Sequence, residues 1–103
     1  MTLEKLRIFV AVADCGGFTK AAQLLYISHS TTSRAVASLE EYFGLKLFAR
    51  TSRSLHLTDA GRCLLEEGRA LIEHAHSLEK TLRKCAANEN NKDNQETAGE
   101  TGG

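Results

Sequence analysis

Apolar positions recur at helical spacing in several stretches of the chain. Leu3, Leu6, Phe9, Val10 and Ala13 predict a first helix over Leu3–Cys15, with Thr2 as a possible N-cap and Gly16-Gly17 as its stop. From Phe18 to Leu39, FTKAAQLLYISHSTTSRAVASL, the pattern is that of two short helices and a tight turn. Thr19 is an N-cap type of residue and leads the helix-forming run Lys20–Leu25. Tyr26-Ile27 breaks the rhythm, and Ser28 offers a second cap. Phe18, just before the first cap, can pack back as a staple. Beyond Ser28, the residues Thr32, Val36, Leu39 and Phe43 form one face of a helix that ends at Gly44. The opposite face carries His29, Ser30, Ser33, Arg34 and Ala37, which are small or hydrogen-bonding groups with one guanidinium among them. A short helix, a tight turn and a second helix with a polar front is the helix-turn-helix arrangement that sets one helix into the DNA major groove.

The pattern then changes period. Leu45-Lys46-Leu47-Phe48 and Leu55-His56-Leu57 alternate around the polar run Arg50–Ser54, which predicts a hairpin with a basic tip over about residues 47–57. Directly after a recognition helix, such a hairpin reads as a wing whose arginines lie against phosphates or reach into the minor groove. Thr58 caps the longest predicted helix, with Asp59 at its positive end. Along it, Leu64, Leu71, Leu78 and Cys85 recur every seven residues, as do Gly61, Gly68, Ala75 and Leu82. That is an a/d heptad with mostly small a positions. The rest of the chain is too small to cover so long a stripe, so a second copy is the simpler cover, in antiparallel or crossed packing. Leu64, Leu71, Leu78 and Leu82 would contribute ~1.5–3 kcal/mol each on full burial, before entropy costs.

Composition sharpens this picture. The net charge of zero argues against a nucleic-acid partner until it is divided by segment. Residues 1–58 carry seven Lys/Arg against four Asp/Glu, and residues 88–103 carry Lys92 against four acidic groups. The neutral total therefore joins a basic domain to an acidic tail. That tail, NENNKDNQETAGETGG, holds no apolar residue but Ala98 and is expected to be disordered. Three widely spaced cysteines suit a reducing compartment better than a disulfide framework, and the expected location is cytoplasmic. No apolar run approaches the ~20 residues that span a bilayer, so no membrane is expected. His74 and His76 are two apart and point to different helix faces, so no metal site is expected. Glu40-Glu41 and Glu66-Glu67 read as solvated helix faces. With no nucleophile motif, phosphate loop or paired carboxylates in a plausible cleft, neither an enzyme nor a cofactor is expected.

Residues 1–87 resemble the N-terminal DNA-binding domain and linker helix of LysR-type transcriptional regulators. The resemblance is carried by Leu3-x-x-Leu6-x-x-Phe9, Phe18-Thr19-x-Ala21-Ala22, Ser28, Ser33-Arg34, Leu39-Glu40, Gly44-x-x-Leu47-Phe48-x-Arg50 and Leu57-Thr58-x-x-Gly61. It implies a mainly α fold: a winged helix-turn-helix of three helices plus a two-stranded β wing over residues 1–58, then a long dimerisation helix over 59–87. It further implies double-stranded DNA as partner, at a pseudo-palindromic site, and a homodimer through the linker helix. The recognition helix, about 28–43, would read bases. Carried over by position, the DNA-contacting set is His29, Ser30, Thr31, Ser33 and Arg34, then Arg50 and Arg53 of the wing. Thr19 and Ser28 would cap helices whose N-termini meet phosphate. The dimer stripe is Leu64, Leu71, Ala75, Leu78 and Leu82.

Three departures from the family pattern matter. His29-Ser30 stands where the family usually has Gln-Pro, and His cannot pair bidentately with adenine as Gln does, so base preference should differ. Loss of that proline removes some rigidity at the helix start. Thr32 takes a buried position usually aliphatic, at an expected cost to core stability. Family members normally continue into a two-lobed α/β effector domain. With a polar tail in its place, the expectation is either a fragment or a short member, with no small-molecule effector site in these 103 residues. A second reading of the same features is an interaction protein that forms mixed dimers with full-length relatives and modulates their DNA binding.

Overall fold

Helix α1 spans Leu3–Cys15. In this computed structural model, which describes residues 1–91, the Thr2 hydroxyl accepts the Lys5 N–H at 3.1 Å and starts the helix. Gly16 ends it at φ 76°, a left-handed conformation that glycine adopts without a steric penalty. Leu6, Ile8, Phe9, Ala11 and Val12 are all buried, so the helix is covered on more of its circumference than the expected stripe. The reason is position: α1 packs against both α2 and α3 and forms the centre of the core.

α2 covers Phe18–Leu25, and its N-cap is Gly17, with no side-chain capping bond. Thr19 is therefore inside the helix and does not cap it. Packing sets this start: the Phe18 ring, at the first helical position, meets Phe48 edge-on at 5.9 Å. Ala21 and Ala22 are buried, and their small side chains suit close approach of α2 to its neighbours. The turn that follows puts Tyr26 at φ 58° while its side chain is 94% exposed. A left-handed conformation costs an L-residue about 1–2 kcal/mol, and nothing around this ring offsets that. Tyr26→Gly is expected to raise the melting temperature by a few degrees, part of the gain being offset by the entropy of a freer unfolded chain. A lower melting temperature would show that the tyrosine ring holds the turn.

α3 covers His29–Phe43, with Ser28 as its cap and Gly44 at φ 68° as its end. Thr32, Ala35, Val36 and Leu39 face the core. Phe43, expected on that face, is 40% exposed. The last turn overhangs the core, and the ring packs edge-on against Tyr42 at 5.0 Å instead. Thr32 is fully buried, yet its hydroxyl donates to the Ser28 carbonyl at 3.0 Å. That bond satisfies the buried hydroxyl and offsets much of the expected cost.

Two short strands make the wing, β1 over Phe48–Arg50 and β2 over Leu55–Leu57. They pair antiparallel, with Phe48 opposite Leu57 and Arg50 opposite Leu55. The strands fall within the expected hairpin of about residues 47–57, the first beginning one residue inside it. The Leu47 and Phe48 amides are engaged by a carboxylate of α3, and Leu45 is exposed. Phe48 anchors the wing in the core, its ring 5.3 Å from that of Phe9.

α4 spans Asp59–Asn91. The Thr58 hydroxyl accepts the Gly61 N–H at 3.0 Å, as a cap does. Two units emerge, Met1–Ile72 and the chain from Glu73 on. Within the first, Ala60, Leu64, Leu65 and Ile72 pack partly on the core, and Gly61 and Gly68 lie against Leu47 and Leu6. The early layers of the heptad thus serve the domain's own core, Leu64 included. Leu71 is 45% exposed. In the second unit Leu78 and Leu82 are exposed and Ala75 is half-buried. The helix continues through residues 88–91, which the polar composition assigned to the tail. No glycine or proline interrupts these residues, and each extension of an existing helix adds a hydrogen bond for one residue fixed. The remainder of the expected disordered tail, residues 92–103, lies outside the described residues.

Candidate nucleic-acid interface

The front of α3 is a row of exposed side chains. His29, Ser30, Thr31 and Arg34 are exposed, and Ser33 is half-buried between them and the core. Their backbone is fixed from Ser28, whose hydroxyl accepts the Thr31 N–H at 3.0 Å and donates to the Thr31 hydroxyl at 2.8 Å. It also lies 3.2 Å from the Ser30 hydroxyl. Ser28 is thereby occupied in holding the first turn, while the unpaired amides there make a positive helix end that favours an anion.

The wing stands beside this row. The Arg50 guanidinium lies 4.7 Å from the centroid of the Phe18 ring, a cation–π distance. The His29 ring lies 6.1 Å from the same phenyl group. One aromatic ring therefore positions both a wing cation and the first residue of α3. From the sequence, Phe18 is expected as a staple, and Arg50 as a tip residue that lies against phosphate or reaches into the minor groove. Arg50 is in fact on β1, and the tip is Thr51–Ser54, closed by Thr51 N–H donating to the Ser54 carbonyl at 2.9 Å. Arg53 is at that tip, its backbone N–H donating to the Thr51 hydroxyl at 3.3 Å.

Ion pairing sorts the cations. Arg62 pairs with Asp59, Arg69 with Asp14, Lys46 with Glu40 and Arg83 with Glu79. The Asp14 carboxylate hydrogen-bonds Arg69 and attracts its charge, which raises the pKa of that guanidinium further and keeps it charged. Lys5 donates to the Ser38 hydroxyl at 2.8 Å. Arg34, Arg50 and Arg53 have no carboxylate partner among the described residues. Arg50 and Arg53 belong to the wing and Arg34 to the exposed front of α3, and exposed Arg7 and Lys20 have no carboxylate partner there either. Thr19 and Lys20 are exposed at the start of α2, where no side chain caps the helix.

Glu40 was read from sequence as a solvated carboxylate. Its side chain is only 17% exposed and binds the chain at the root of the wing. Its place next to buried Leu39 and one turn before the Gly44 reversal was the available signal. Among the described residues, no group of three His, Cys, Asp or Glu could hold a metal ion, and no helix is long and apolar enough to cross a membrane.

Three helices, a two-stranded wing and an exposed polar helix front define a winged helix-turn-helix protein. The model of the bacterial regulatory helix-turn-helix protein, lysR family, matches residues 3–62, and the chain belongs to that family. It is 44% identical over 72 residues to the HTH-type transcriptional regulator TfdT of Cupriavidus pinatubonensis (strain JMP 134 / LMG 1197), covering 70% of this chain and 32% of TfdT. It is 39% identical over 84 residues to the Hca operon transcriptional activator HcaR of Escherichia coli (strain K12), covering 82% of this chain and 28% of HcaR. The chain thus spans about a third of the length of these relatives. Among solved structures, it is similar to the BenM_DBD/catB site 1 DNA complex, with a TM-score of 0.80 and 34% identity over 84% of this chain and 96% of that one. The CbnR_DBD–DNA complex matches with a TM-score of 0.79 and 34% identity, over 84% of this chain and 99% of that one.

Proposed function

We propose that this chain is a sequence-specific DNA-binding transcriptional regulator that acts as a homodimer. The observation that carries the proposal is the row of exposed His29, Ser30, Thr31 and Arg34 with half-buried Ser33, together with Arg50 and Arg53 of the wing, which have no carboxylate partner among the described residues. A helix of this kind fits the major groove, where side chains reach base edges. Arg34 and Ser33 are then the base readers, with His29, Ser30 and Thr31 at the helix start. Arg53 at the wing tip meets phosphate or the minor groove, and Arg50, steadied on Phe18, meets phosphate. The open helix end beside Thr19 supplies a further phosphate contact through backbone amides. The similarity to proteins solved as DNA complexes and to named transcriptional regulators supports the same reading.

Dimerisation uses the exposed stripe of α4: Leu71, Ala75, Leu78 and Leu82. Leu64, partly committed to the domain core, adds at its edge. Leucines left half-exposed at seven-residue spacing are covered most simply by a second copy. The dimer would present two recognition helices to a site with dyad symmetry.

Binding of duplex DNA, followed by fluorescence anisotropy over a range of salt concentrations, tests the reading. Wild-type affinity should fall steeply as salt rises. Arg53→Ala should weaken binding to all sequences alike and reduce the salt slope by about one. An unchanged slope would remove Arg53 from the interface.

A further inference from the structure

An open groove separates the front of α3 from the wing, lined by Phe18, Ser33, Ala37, Lys46, Ala49 and Arg50. The two elements proposed to meet DNA are therefore not joined along the surface they present. Their relative position is held by contacts beneath that surface, those of Phe48 with Phe9 and Phe18 and those of Glu40, which also lines the groove.

Glu40 acts on the connecting chain with both its backbone and its side chain. Its carbonyl accepts the Gly44 N–H at 2.8 Å and the Leu45 N–H at 3.2 Å, which closes the end of α3. Its carboxylate Oε2 accepts the Leu47 N–H at 2.8 Å and lies 3.4 Å from the Phe48 nitrogen, which also donates to it. Oε1 lies 3.7 Å from Lys46 Nζ. The same segment is held from the far side of the wing. Thr58 donates its N–H to the Leu47 carbonyl at 3.0 Å and its hydroxyl to the Lys46 carbonyl at 2.6 Å. The Leu47 and Phe48 N–H groups thus both go to the α3 carboxylate, while the Leu47 carbonyl goes to Thr58. A hydrogen bond from an amide to an ionised carboxylate is stronger than one between neutral groups, and this one is largely shielded from water.

We infer that Glu40 is a positioning residue for DNA binding: by holding Leu47 and Phe48 it fixes where β1, and so Arg50 and the Arg53 tip, stand relative to the base-facing row of α3. The inference rests on the reading of α3 and the wing as a DNA surface. Glu40 itself touches no DNA. Its removal acts through the wing, and its effect must therefore overlap with that of removing a wing arginine.

A double-mutant cycle on a fixed duplex tests this. Affinity and salt slope are measured for wild type, Arg53→Ala, Glu40→Ala and the double variant, with Glu40→Gln and Glu40→Asp alongside. Glu40→Ala should weaken binding about tenfold at low salt and lower the salt slope by about one, although it deletes a negative charge. Adding Arg53→Ala to it should then cost less than about twofold, because the wing is already misplaced. Glu40→Gln keeps a carbonyl that can accept the Leu47 N–H and should bind within about twofold of wild type. Glu40→Asp keeps the charge but is one methylene short and should behave like Glu40→Ala. Amide exchange at Leu47, measured without DNA, should be fast in the Ala and Asp variants and slow in the Gln variant. If Glu40→Ala does not fold, the Gln and Asp pair carries the same comparison. Overturning results are full additivity of Arg53→Ala with Glu40→Ala, or with Glu40→Asp if the former does not fold, and an Asp variant that binds better than the Gln variant. Arg53→Ala binding like wild type would overturn the wing contact itself, and the positioning role with it. Normal loss on Arg53→Ala with full additivity would overturn Glu40's role alone.

Discussion

Gly61→Ala is expected to destabilise the Met1–Ile72 unit by about 3 kcal/mol. A Cβ at residue 61 would lie 2.1 Å from the Leu47 carbonyl oxygen and 2.8 Å from Leu57 Cδ2. The leucine side chain could rotate, but the carbonyl cannot retreat. It accepts the Thr58 N–H, and the same residue's N–H is bound by Glu40. Relief would require moving the first turn of α4 off the wing, breaking the Thr58 cap as it goes. Gly68→Ala is the matched comparison. Its Cβ would meet Leu6 Cδ1 at 3.0 Å, the end of a flexible side chain. Alanine also gains about 1 kcal/mol over glycine in helix propensity, so the net change there should lie within about 1 kcal/mol of zero. Denaturant midpoints with unchanged m-values check both. Equal midpoints for the two variants would mean that α4 does not rest on Leu47.

Arg34→Ala is expected to cost about 1–3 kcal/mol of DNA affinity and to relax preference at one base position. Arg34 is exposed, one turn into α3, and has no carboxylate partner among the described residues. Its guanidinium can address a guanine edge with two parallel donors, which a lysine cannot reproduce. Arg34→Lys should therefore retain much of the salt dependence but lose the base preference. Competition titrations against duplexes varied one base pair at a time read both quantities. If Arg34→Ala keeps both affinity and preference, Arg34 does not read bases.

The parts of the fold legible in the sequence are those governed by local chemistry. The α1 bounds follow from Thr2 and Gly16, and the α3 bounds from Ser28 and Gly44, because each cap is a short-range hydrogen bond or a backbone conformation tied to one residue type. The polar front of α3 was legible for the same reason, since a 3.6-residue period separates it from Thr32, Val36 and Leu39. What was not legible depended on distant partners. Thr19 has the right chemistry for a cap, but the packing of Phe18 on Phe48 starts the helix earlier. The hairpin was legible over about residues 47–57, but not that the Glu40 carboxylate would take the Leu47 and Phe48 amides at its root. The heptad of α4 carried two meanings on one stripe. Gly61 and Gly68 serve close packing within the domain, while Leu78 and Leu82 are exposed. Small residues at a positions look the same in sequence whether the neighbour is the same chain or another.

At the interface, residue types pointed to the surface and tertiary contacts set its detail. His29, Ser30 and Arg34 were named from the face they share. That Arg50 and His29 both rest against Phe18 needed the fold, because residues 18, 29 and 50 come together only when α2, α3 and β1 are assembled. His29-Ser30 stand on a turn already held by Ser28 and by an aromatic neighbour. Substitution of His29 or Ser30 is therefore expected to change base preference more than stability.

Selection from a pool of fully randomised DNA duplexes by the purified chain bears most directly on sequence reading by α3. The expected result is enrichment of a dyad-symmetric sequence, its half-sites spaced by about one helical turn or a multiple of it. The half-site should change when the selection is repeated with Arg34→Ala. A pool that is retained on the protein yet emerges with no sequence enriched would contradict specific recognition, leaving only the attraction of a basic surface for phosphate.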